Sequence, residues 1–358
     1  MKMVDVTEAD FPAVAALAKS NDLLLEDLTV ENFPAMLKWL YFDTPSGTHL
    51  EFVAKEGEAV IAHYGALPFA FQLGGETQAG VVAGFASNLV IDKANRTGSL
   101  FFSLQNHFFR EYPKKNLAFA YGLVTRDGVL EPHLRMGWKK LGEVPVFAKP
   151  INFNRVAATV VKNGLALALG KLPLTLAGWA LTRQWLPSSR SITVEQVDRF
   201  DHSLAPVLES LAGRFKTMAV RTPEILNWRF KGLSTRTYSC FVAKRAGVVI
   251  GYMVLRKLQM KGLEAMALVD MAYDPADSAS GRELMRACTR EAIRGGADLV
   301  ATILNPNSPF RGLLTRAGFL QTSESFKLVV HRPKSSTLQL DASSFPHWHL
   351  TWFDHDYV

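Results

Sequence analysis

The stretch NLVIDKANRTGSLFFSL, residues 88–104, decides the fold. It begins as an apolar strand, passes through a short basic loop, and continues with apolar residues at the three- and four-residue spacing of an amphipathic helix. A helix entered in this way starts with unpaired backbone N–H groups at the positive end of its dipole. The stretch therefore predicts that an anionic group, such as a pyrophosphate, binds at the start of the helix.

Two residues of the loop support this prediction. Arg96 places a positive charge next to the predicted start of the helix. Gly98 has no side chain, so it allows an anion to approach the backbone closely. The alternative is an ordinary turn from strand to helix, and the order of the surrounding elements favours the binding loop.

The segments around this stretch predict an antiparallel meander followed by alternating helices and strands. Glycine turns separate three predicted strands, over 51–57, 59–76 and 78–92. Two helices are predicted before them, over 7–18 and 33–42. After the loop, the same patterns predict a helix over 99–112, a strand over 117–125, a helix over 129–136 and a strand over 141–148.

The second part of the chain repeats this order of elements. RAGF at 316–319 occupies the place that RMGW at 135–138 has in the first part. The predicted fold class is α/β, with a mixed α+β sheet in each of two tandem domains. We predict a first domain over 1–154, an apolar, basic helical linker over 155–190, a second domain over 191–332, and an aromatic tail over 333–358 that packs on a domain.

The loop and its setting resemble the acyl-CoA-binding core of the GNAT superfamily, so each domain is expected to be GNAT-like. The loop of that family reads Arg/Gln-x-x-Gly-x-Gly/Ala, and this chain has Arg96-Thr97-Gly98-Ser99 followed by Leu100 and Phe101. Ser99 thus stands at the middle glycine and Phe101 at the small residue. The resemblance implies an acyl-CoA cofactor, acetyl-CoA or another, held by Leu89, Val90, Ile91, Arg96, Thr97, Gly98, Ser99 and Leu100.

The resemblance also implies a mechanism. The pantetheine arm would lie between the strands at 87–91 and 117–124, and a backbone N–H around Leu89 or Val90 would polarise the thioester carbonyl. An amine would then attack the thioester directly. The family carries a tyrosine as acid four residues before the Gly of a Gly-Phe pair, where this chain has His133 before Gly137-Trp138.

Other acids and the base stay open at this point. Tyr121 and Tyr64 are alternative acids, one on each side of the expected cleft. No glutamate occupies the third strand as candidate base, which leaves Asp92, Glu131 or a water relay.

The second domain is expected to bind cofactor poorly, because its loop carries Asp274 and Asp277 where phosphates need positive charge. Asp270, in the middle of an apolar strand, is either a substrate-amine anchor or an outward-facing, solvated residue. The segment 222–230 and the tail resemble tandem GNAT proteins of bacterial polysaccharide and cell-surface biosynthesis. That resemblance implies a small-molecule amine acceptor, such as an amino sugar or a cell-envelope precursor.

Composition sets limits on the class of protein. Hydrophobic residues make up 48% of the chain and charged residues 20%, which excludes a largely disordered protein. The two cysteines, Cys240 and Cys288, indicate neither a disulfide framework nor a metal site. The histidines and aspartates of the tail match no closed metal signature, so no metal is expected. The first residues contain no apolar signal core, and we expect a cytoplasmic protein.

The charge is unevenly distributed. Residues 1–154 carry 14 Lys and Arg against 17 Asp and Glu, a net charge of −3, and the remainder carries 26 against 16, a net charge of +10. The segment 155–190 has basic residues, no acidic ones and many leucines. It either packs between the domains or contacts an acidic partner, such as the inner membrane face or a biosynthetic complex. We expect no DNA partner, and the oligomeric state stays open.

Two other functions fit the same fold. A tandem GNAT scaffold or CoA sensor without catalysis would explain the imperfect loop and the missing tyrosine. A Fem-like transferase would use an aminoacyl-tRNA donor, and the net charge of +7 would suit RNA. The leading prediction is an acyl-CoA-dependent N-acyltransferase, most commonly an N-acetyltransferase, acting on an amine.

Overall fold

The structure is a computed structural model that describes residues 1–24, 27–74, 81–125, 127–160 and 188–355. The strands of the first half are β1 (Lys2–Asp5), β2 (Leu50–Glu56), β3 (Ala59–Leu73), β4 (Val82–Ile91), β5 (Phe119–Val124) and β6 (Lys139–Pro150). Its helices are α1 (Phe11–Ser20), α2 (Phe33–Leu37), α3 (Gly98–Glu111), α4 (Asp127–Arg135) and α5 (Phe153–Val160).

The second half has the same sequence of elements. Its strands are β7 (Ile192–Val197), β8 (Thr217–Ala219), β9 (Ser239–Arg245), β10 (Val248–Met260), β11 (Leu263–Tyr273), β12 (Leu299–Ile303) and β13 (Leu320–His331). Its helices are α6 (Ala205–Ala212), α7 (Pro223–Lys231), α8 (Ser278–Arg294) and α9 (Arg311–Arg316). The mixed α/β fold class is confirmed, with one meander in each half.

The two halves share one continuous sheet, because each gives its last strand to the other. The order is β1-β2-β3-β4-β5-β13-β6-β12-β11-β10-β9-β7, with β8 added on β3. Strand β13 of the second half pairs with β5, and β6 of the first half pairs with β12. The exchanged strands also pair with each other, antiparallel. The predicted boundary at residue 154 therefore divides the sequence into two halves, but both halves belong to one sheet.

Two hydrophobic layers cover the sheet of the first half. On one face, α3 and the end of α4 pack on Tyr64, Ala66 and Ala120. On the other face, α1 and α2 pack on Val53, Leu67 and Phe85. Because side chains alternate along a strand, neighbouring residues of β3 and β4 contribute to opposite layers. This alternation decides which polar side chains can meet at the site.

The described part of the tail packs against both halves of the chain. Trp348 is fully buried and packs against Phe71 and Phe119 of the first half. The side-chain nitrogen of Asn305, from the second half, donates to the carbonyls of Phe345 and Trp348 at 2.7 and 3.0 Å. The tail therefore connects the two halves, as the exchanged strands also do.

Three strands of the structure, β1, β8 and β13, were not predicted. Strands β1 and β8 have only four and three residues, and the first part of β13 is polar. Most of the predicted linker, residues 161–187, lies outside the described residues, so its predicted packing or membrane contact stays a prediction. Within the described part of the chain, no helix is both long and apolar enough to cross a membrane.

Candidate functional site

The site begins with a gap in the sheet between β4 and β5. These parallel strands pair only between Ala83–Phe85 and Phe119–Tyr121. The rest of β4 has no register with β5, and the rest of β5 pairs with β13 on its other side. Ala86, Asn88 and Leu89 are accordingly half-exposed, although they lie in an inner strand. The two strands diverge where the pantetheine arm was predicted to lie.

A bulge in β4 lies beside this gap. His63 of β3 is opposite Val90 and Gly65 is opposite Ser87, so Tyr64 alone faces both Asn88 and Leu89. Asn88 has φ +53°, in the left-handed region that asparagine tolerates better than most residues. A bulge of this kind turns a peptide out of the ladder direction. It occurs at the residues that were predicted to carry the polarising N–H.

A buried acid and a buried histidine hold the bulge from the α1 side. His63 Nδ1 lies 2.8 Å from the carbonyl oxygen of Asn88, and its Nε2 lies 2.8 Å from Glu51 Oε1. Both side chains are fully buried. Burial raises the pKa of Glu51, and the hydrogen bond from His63 opposes that rise. The pair therefore forms a fixed polar unit behind the bulge.

Other polar groups line the same face. The hydroxyls of Tyr41 and Ser87 are 2.7 Å apart, and the Asn88 amide donates to Tyr41 at 3.0 Å. Sequence reasoning missed this group and also Glu51 and His63. The available signal was polar residues recurring in apolar strands, but their meeting depends on the register of the meander.

The loop before α3 is open to solvent. The Thr97 hydroxyl caps the helix by accepting from the Leu100 N–H at 3.3 Å. Arg96 is exposed and is anchored by a bond from its guanidinium to Asn21 Oδ1 at 2.8 Å. A Cβ at Gly98 would meet nothing closer than 3.9 Å, so the space over the helix start is empty. These features fit a pyrophosphate at the N–H groups of Gly98 and Ser99.

His133 and Tyr64 come together on the opposite face of the sheet. Gln105 Nε2 lies 3.3 Å from both the Tyr64 hydroxyl and His133 Nε2. His133 Nδ1 donates to the Val129 carbonyl at 2.7 Å, and the Trp138 indole donates to Gln105 at 3.0 Å. Burial lowers the pKa of His133, so the ring is neutral at neutral pH. Both of its nitrogens are engaged inside the layer between α3 and the sheet.

Tyr121 lies on the α1 face, away from Tyr64. It is fully buried among Phe71, Phe85 and Trp348, and its hydroxyl is 3.5 Å from the Asp354 carbonyl. The end of the described tail lies beside it, with the His355 ring 5.4 Å from that of Phe85. The structure thus places the three predicted acids on two faces of the sheet.

The second half contains the equivalent gap, but the tail fills it. Strands β11 and β12 pair only between 265–267 and 299–301, and then diverge. The remaining cavity, between Asp270, Thr302 and Thr351, measures about 20 Å³. That volume holds about one water molecule. No acyl chain or amine substrate fits there while the tail is in place.

Asp270 holds the tail in this gap. It is fully buried and accepts hydrogen bonds from Arg221 at 3.0 Å, Tyr252 at 2.7 Å and Thr351 at 2.9 Å. Arg221 also pairs with Asp354 of the tail at 3.0 Å. The interpretation of Asp270 as a solvated, outward-facing residue is wrong, because β11 is an inner strand covered by the tail. The alternative was that Asp270 anchors a substrate amine. Its carboxylate already accepts hydrogen bonds from Arg221, Tyr252 and Thr351 of the protein itself.

The helix start in the second half is also closed. Asp277 caps α8 through the Ser280 N–H and pairs with Arg245 at 2.8 Å. Asp274 pairs with Arg214. These carboxylates bring negative charge to the place where phosphates would lie, and poor cofactor binding by this half stays a prediction.

Comparison with known proteins shows the fold. No protein-family model and no curated protein sequence matches the chain. A GCN5-related N-acetyltransferase from Anabaena variabilis superposes with a TM-score of 0.63 at 12% identity, covering 93% of this chain and 73% of that one. The Saccharomyces cerevisiae N-myristoyltransferase with bound myristoyl-CoA gives 0.63 at 15%, covering 93% and 83%. A probable N-acyltransferase from Enterococcus faecalis gives 0.61 at 10%, covering 93% and 73%. The chain has the fold of the GNAT-type N-acyltransferases, over nearly its whole length.

Proposed function

We propose that the protein is an acyl-CoA-dependent N-acyltransferase that acts in the gap between β4 and β5. The observation that carries the proposal is the combination of that gap with the bulge at Asn88 and Leu89. A paired sheet offers no free N–H in its interior, whereas a bulge beside a gap presents one to a ligand. The exposed start of α3 lies at the end of the same strand and fits the phosphates of CoA.

The residues then divide the work of the reaction. Arg96 and the N–H groups of Gly98 and Ser99 bind the pyrophosphate, and the gap holds the pantetheine arm. The N–H of Leu89 polarises the thioester carbonyl while an amine attacks its carbon. Acetyl-CoA is the donor we propose, with a longer acyl-CoA as the alternative. The predicted acids Tyr64, Tyr121 and His133 are buried and bonded within the protein, so the proposal does not depend on them.

The acceptor is proposed to approach from the face of α1 and α2. Ser87, Asn88 and Tyr41 give this face hydroxyl and amide groups next to the gap. Such groups suit an acceptor with several hydroxyls, and an amino sugar or other cell-envelope amine is the class that we propose. The compartment proposed is the cytoplasm, where acyl-CoA is made.

Calorimetric titration with acetyl-CoA and with longer acyl-CoAs tests the donor. We expect binding to the wild type, and a loss of at least tenfold in affinity for Arg96→Glu and Gly98→Asp, because each puts a negative charge beside the phosphates. Arg110→Glu, near the other end of α3, is the matched control and should leave the affinity unchanged. An absence of binding by every acyl-CoA would refute the proposal. A screen of amines for release of free CoA then identifies the acceptor.

A further inference from the structure

A side chain holds the peptide between Asn88 and Leu89, whereas hydrogen bonds to a neighbouring strand hold the paired part of β4. Asn88 and Leu89 have no partner in the register of β3 and β4. Instead, the carbonyl of Asn88 accepts a hydrogen bond from His63 Nδ1 at 2.8 Å. The direction of this carbonyl therefore depends on the imidazole of His63.

The direction of the carbonyl also sets the direction of the next N–H. The described peptide bonds are all trans, and in a planar trans peptide the C=O and N–H groups point in opposite directions. The Leu89 N–H must therefore point away from the imidazole and from the layer of α1 and α2. Leu89 is half-exposed and lies beyond the last β4 residue that pairs with β5.

We propose that His63 and Glu51 are positioning residues, which aim the Leu89 N–H at the thioester carbonyl of the bound acyl-CoA. The inference rests on the proposed function. When the amine nitrogen attacks the thioester carbon, the carbonyl π electrons move onto the oxygen. They return as the C–S bond breaks, and the proton lost by the amine ends on the thiolate, giving an amide and free CoA. The N–H stabilises the oxygen while it carries negative charge.

Glu51 supports the tautomer that this arrangement needs. The Asn88 carbonyl oxygen can only accept, so its contact with the imidazole requires a proton on Nδ1. Burial raises the pKa of Glu51 and thereby favours its protonated form. A protonated Glu51 donates to Nε2 at 2.8 Å, which leaves the single proton of a neutral ring on Nδ1.

The arrangement carries local costs that packing alone does not explain. Asn88 is in the left-handed region, which is unfavourable for an L-residue. Among the described residues, the second oxygen of Glu51 is buried without a hydrogen-bond partner. Costs of this kind concentrate where a fixed geometry serves binding or catalysis. Two buried polar residues and a strained asparagine all converge on a single peptide.

Infrared difference spectroscopy with a 13C-labelled acetyl-CoA carbonyl tests the proposal directly. A hydrogen bond from Leu89 moves the carbonyl stretch to lower frequency when acetyl-CoA binds. His63→Asn and His63→Gln form a matched pair, because the Asn amide nitrogen replaces Nδ1 while the Gln amide nitrogen replaces Nε2. We expect the frequency shift to persist in His63→Asn and to disappear in His63→Gln. His49→Gln, half-buried against Phe42 and remote from the bulge, should retain it.

The outcomes separate the two proposals. If the wild type binds no acyl-CoA, the proposed function fails, and this inference fails with it. If it binds acetyl-CoA without a shift, the polarising role of the Leu89 N–H is refuted, and the positioning role with it, while acyl-CoA binding stands. If His63→Gln keeps the full shift, the positioning role alone is refuted and the proposed function stands. Should the His63 variants fail to fold, Glu51→Ala is the substitute, and an unchanged shift there would refute the role of Glu51.

A second measurement uses affinity. The thioether S-ethyl-CoA lacks the carbonyl but is otherwise close in shape to acetyl-CoA. One hydrogen bond predicts that the wild type prefers acetyl-CoA by about three- to tenfold. We expect the preference to fall to about one in His63→Gln and to remain in His63→Asn. A preference that is unchanged in His63→Gln would overturn the proposal.

Discussion

The two halves of the chain contain the same gap in the sheet and use it differently. In each half, a parallel pair of strands is joined over three residues and then diverges. In each half, a bulge follows the paired residues, at Asn88 and Leu89 in β4 and at Val269 in β11. In the first half, Asn88 and Leu89 beside the gap are partly exposed, and an exposed, basic loop follows β4. In the second half, the tail fills the gap and acidic residues close the loop.

This difference shows that the backbone does not decide the use of the gap. The side chains around it do. A side chain caps both helix starts, Thr97 in the first half and Asp277 in the second, but Arg96 brings a positive charge to the first start and Asp277 brings a negative charge to the second. Likewise Asn88 offers a peptide to the first gap, whereas Asp270 binds the tail in the second. In the second half this repeated arrangement anchors the chain end, and in the first half we propose that it binds a ligand.

The largest effect is expected when the anchor is broken. Arg221→Ala would leave Asp270 and Asp354 fully buried without a cation, at a cost of about 3–5 kcal/mol in the free energy of unfolding. Urea denaturation at neutral pH measures this loss. Arg214→Ala is the control, since its pair with Asp274 is half-exposed and is worth at most about 1 kcal/mol. Equal losses in the two variants would show that the buried pair does not hold the tail.

The comparison also predicts one acyl-CoA per chain. Charge reversal at Arg96 should weaken acyl-CoA binding by about 10- to 100-fold, or about 1.4–2.8 kcal/mol. A charge reversal near the start of α8, Arg282→Glu, should leave both affinity and stoichiometry unchanged. Calorimetry measures both quantities in one experiment. Two bound molecules per chain, or a weakened affinity in Arg282→Glu, would mean that the second gap opens to ligand.

Local pattern was enough to predict most of the fold. The glycine turns fixed the meander, and the helical spacing after Gly98 placed α3 to within one residue of its start. The exchange of β6 and β13 could not be predicted, because it depends on pairing between residues about 180 positions apart. The pattern of apolar and polar residues within β6 or β13 does not indicate which half of the sheet the strand joins.

The site was predictable in its backbone and much less so in its side chains. The resemblance to the GNAT family predicted where β4 and β5 diverge, and the sequence of the loop predicted the start of α3. The polarising N–H stays a prediction. The meeting of Glu51 with His63 does not, since the meander shifts register at Ala54 and again beside His63. Each such shift changes which residues share a face. Asp270 was misread for a similar reason, because its partner Arg221 lies on a different element.

A smaller effect concerns the filled gap at low pH. Burial, with help from Arg221, lowers the pKa of His349 to about 3. In the unfolded chain His349 binds a proton near pH 6.5, whereas in the folded chain it stays neutral until about pH 3. The free energy of unfolding therefore falls as the pH drops from about 6.5 toward 3, by about 1.4 kcal/mol per pH unit. His349→Phe removes this term, and its neighbours Phe215 and Phe310 suit an aromatic ring.

We expect the loss of unfolding free energy between pH 7 and pH 5 to be smaller in His349→Phe by about 2 kcal/mol. Urea denaturation of both proteins at the two pH values measures it. His331, whose pKa burial lowers to about 4, titrates in both proteins and cancels in the comparison. Identical pH dependence in the two proteins would mean that His349 takes up its proton in the folded chain.

The smallest change in stability is expected at the bulge itself, where a substitution tests the role of the gap in the first half. Asn88 and Asn116 both have φ above +50°, but only Asn88 lies at the gap. Glycine adopts this conformation freely, so Asn88→Gly and Asn116→Gly should each change the free energy of unfolding by less than about 1 kcal/mol. Release of CoA in the presence of an amine acceptor should nevertheless fall about tenfold in Asn88→Gly alone, because a glycine peptide is held less firmly. Equal rates in the two variants would show that the bulge plays no part in the reaction. The two halves would then differ only in that the tail fills the gap of the second half.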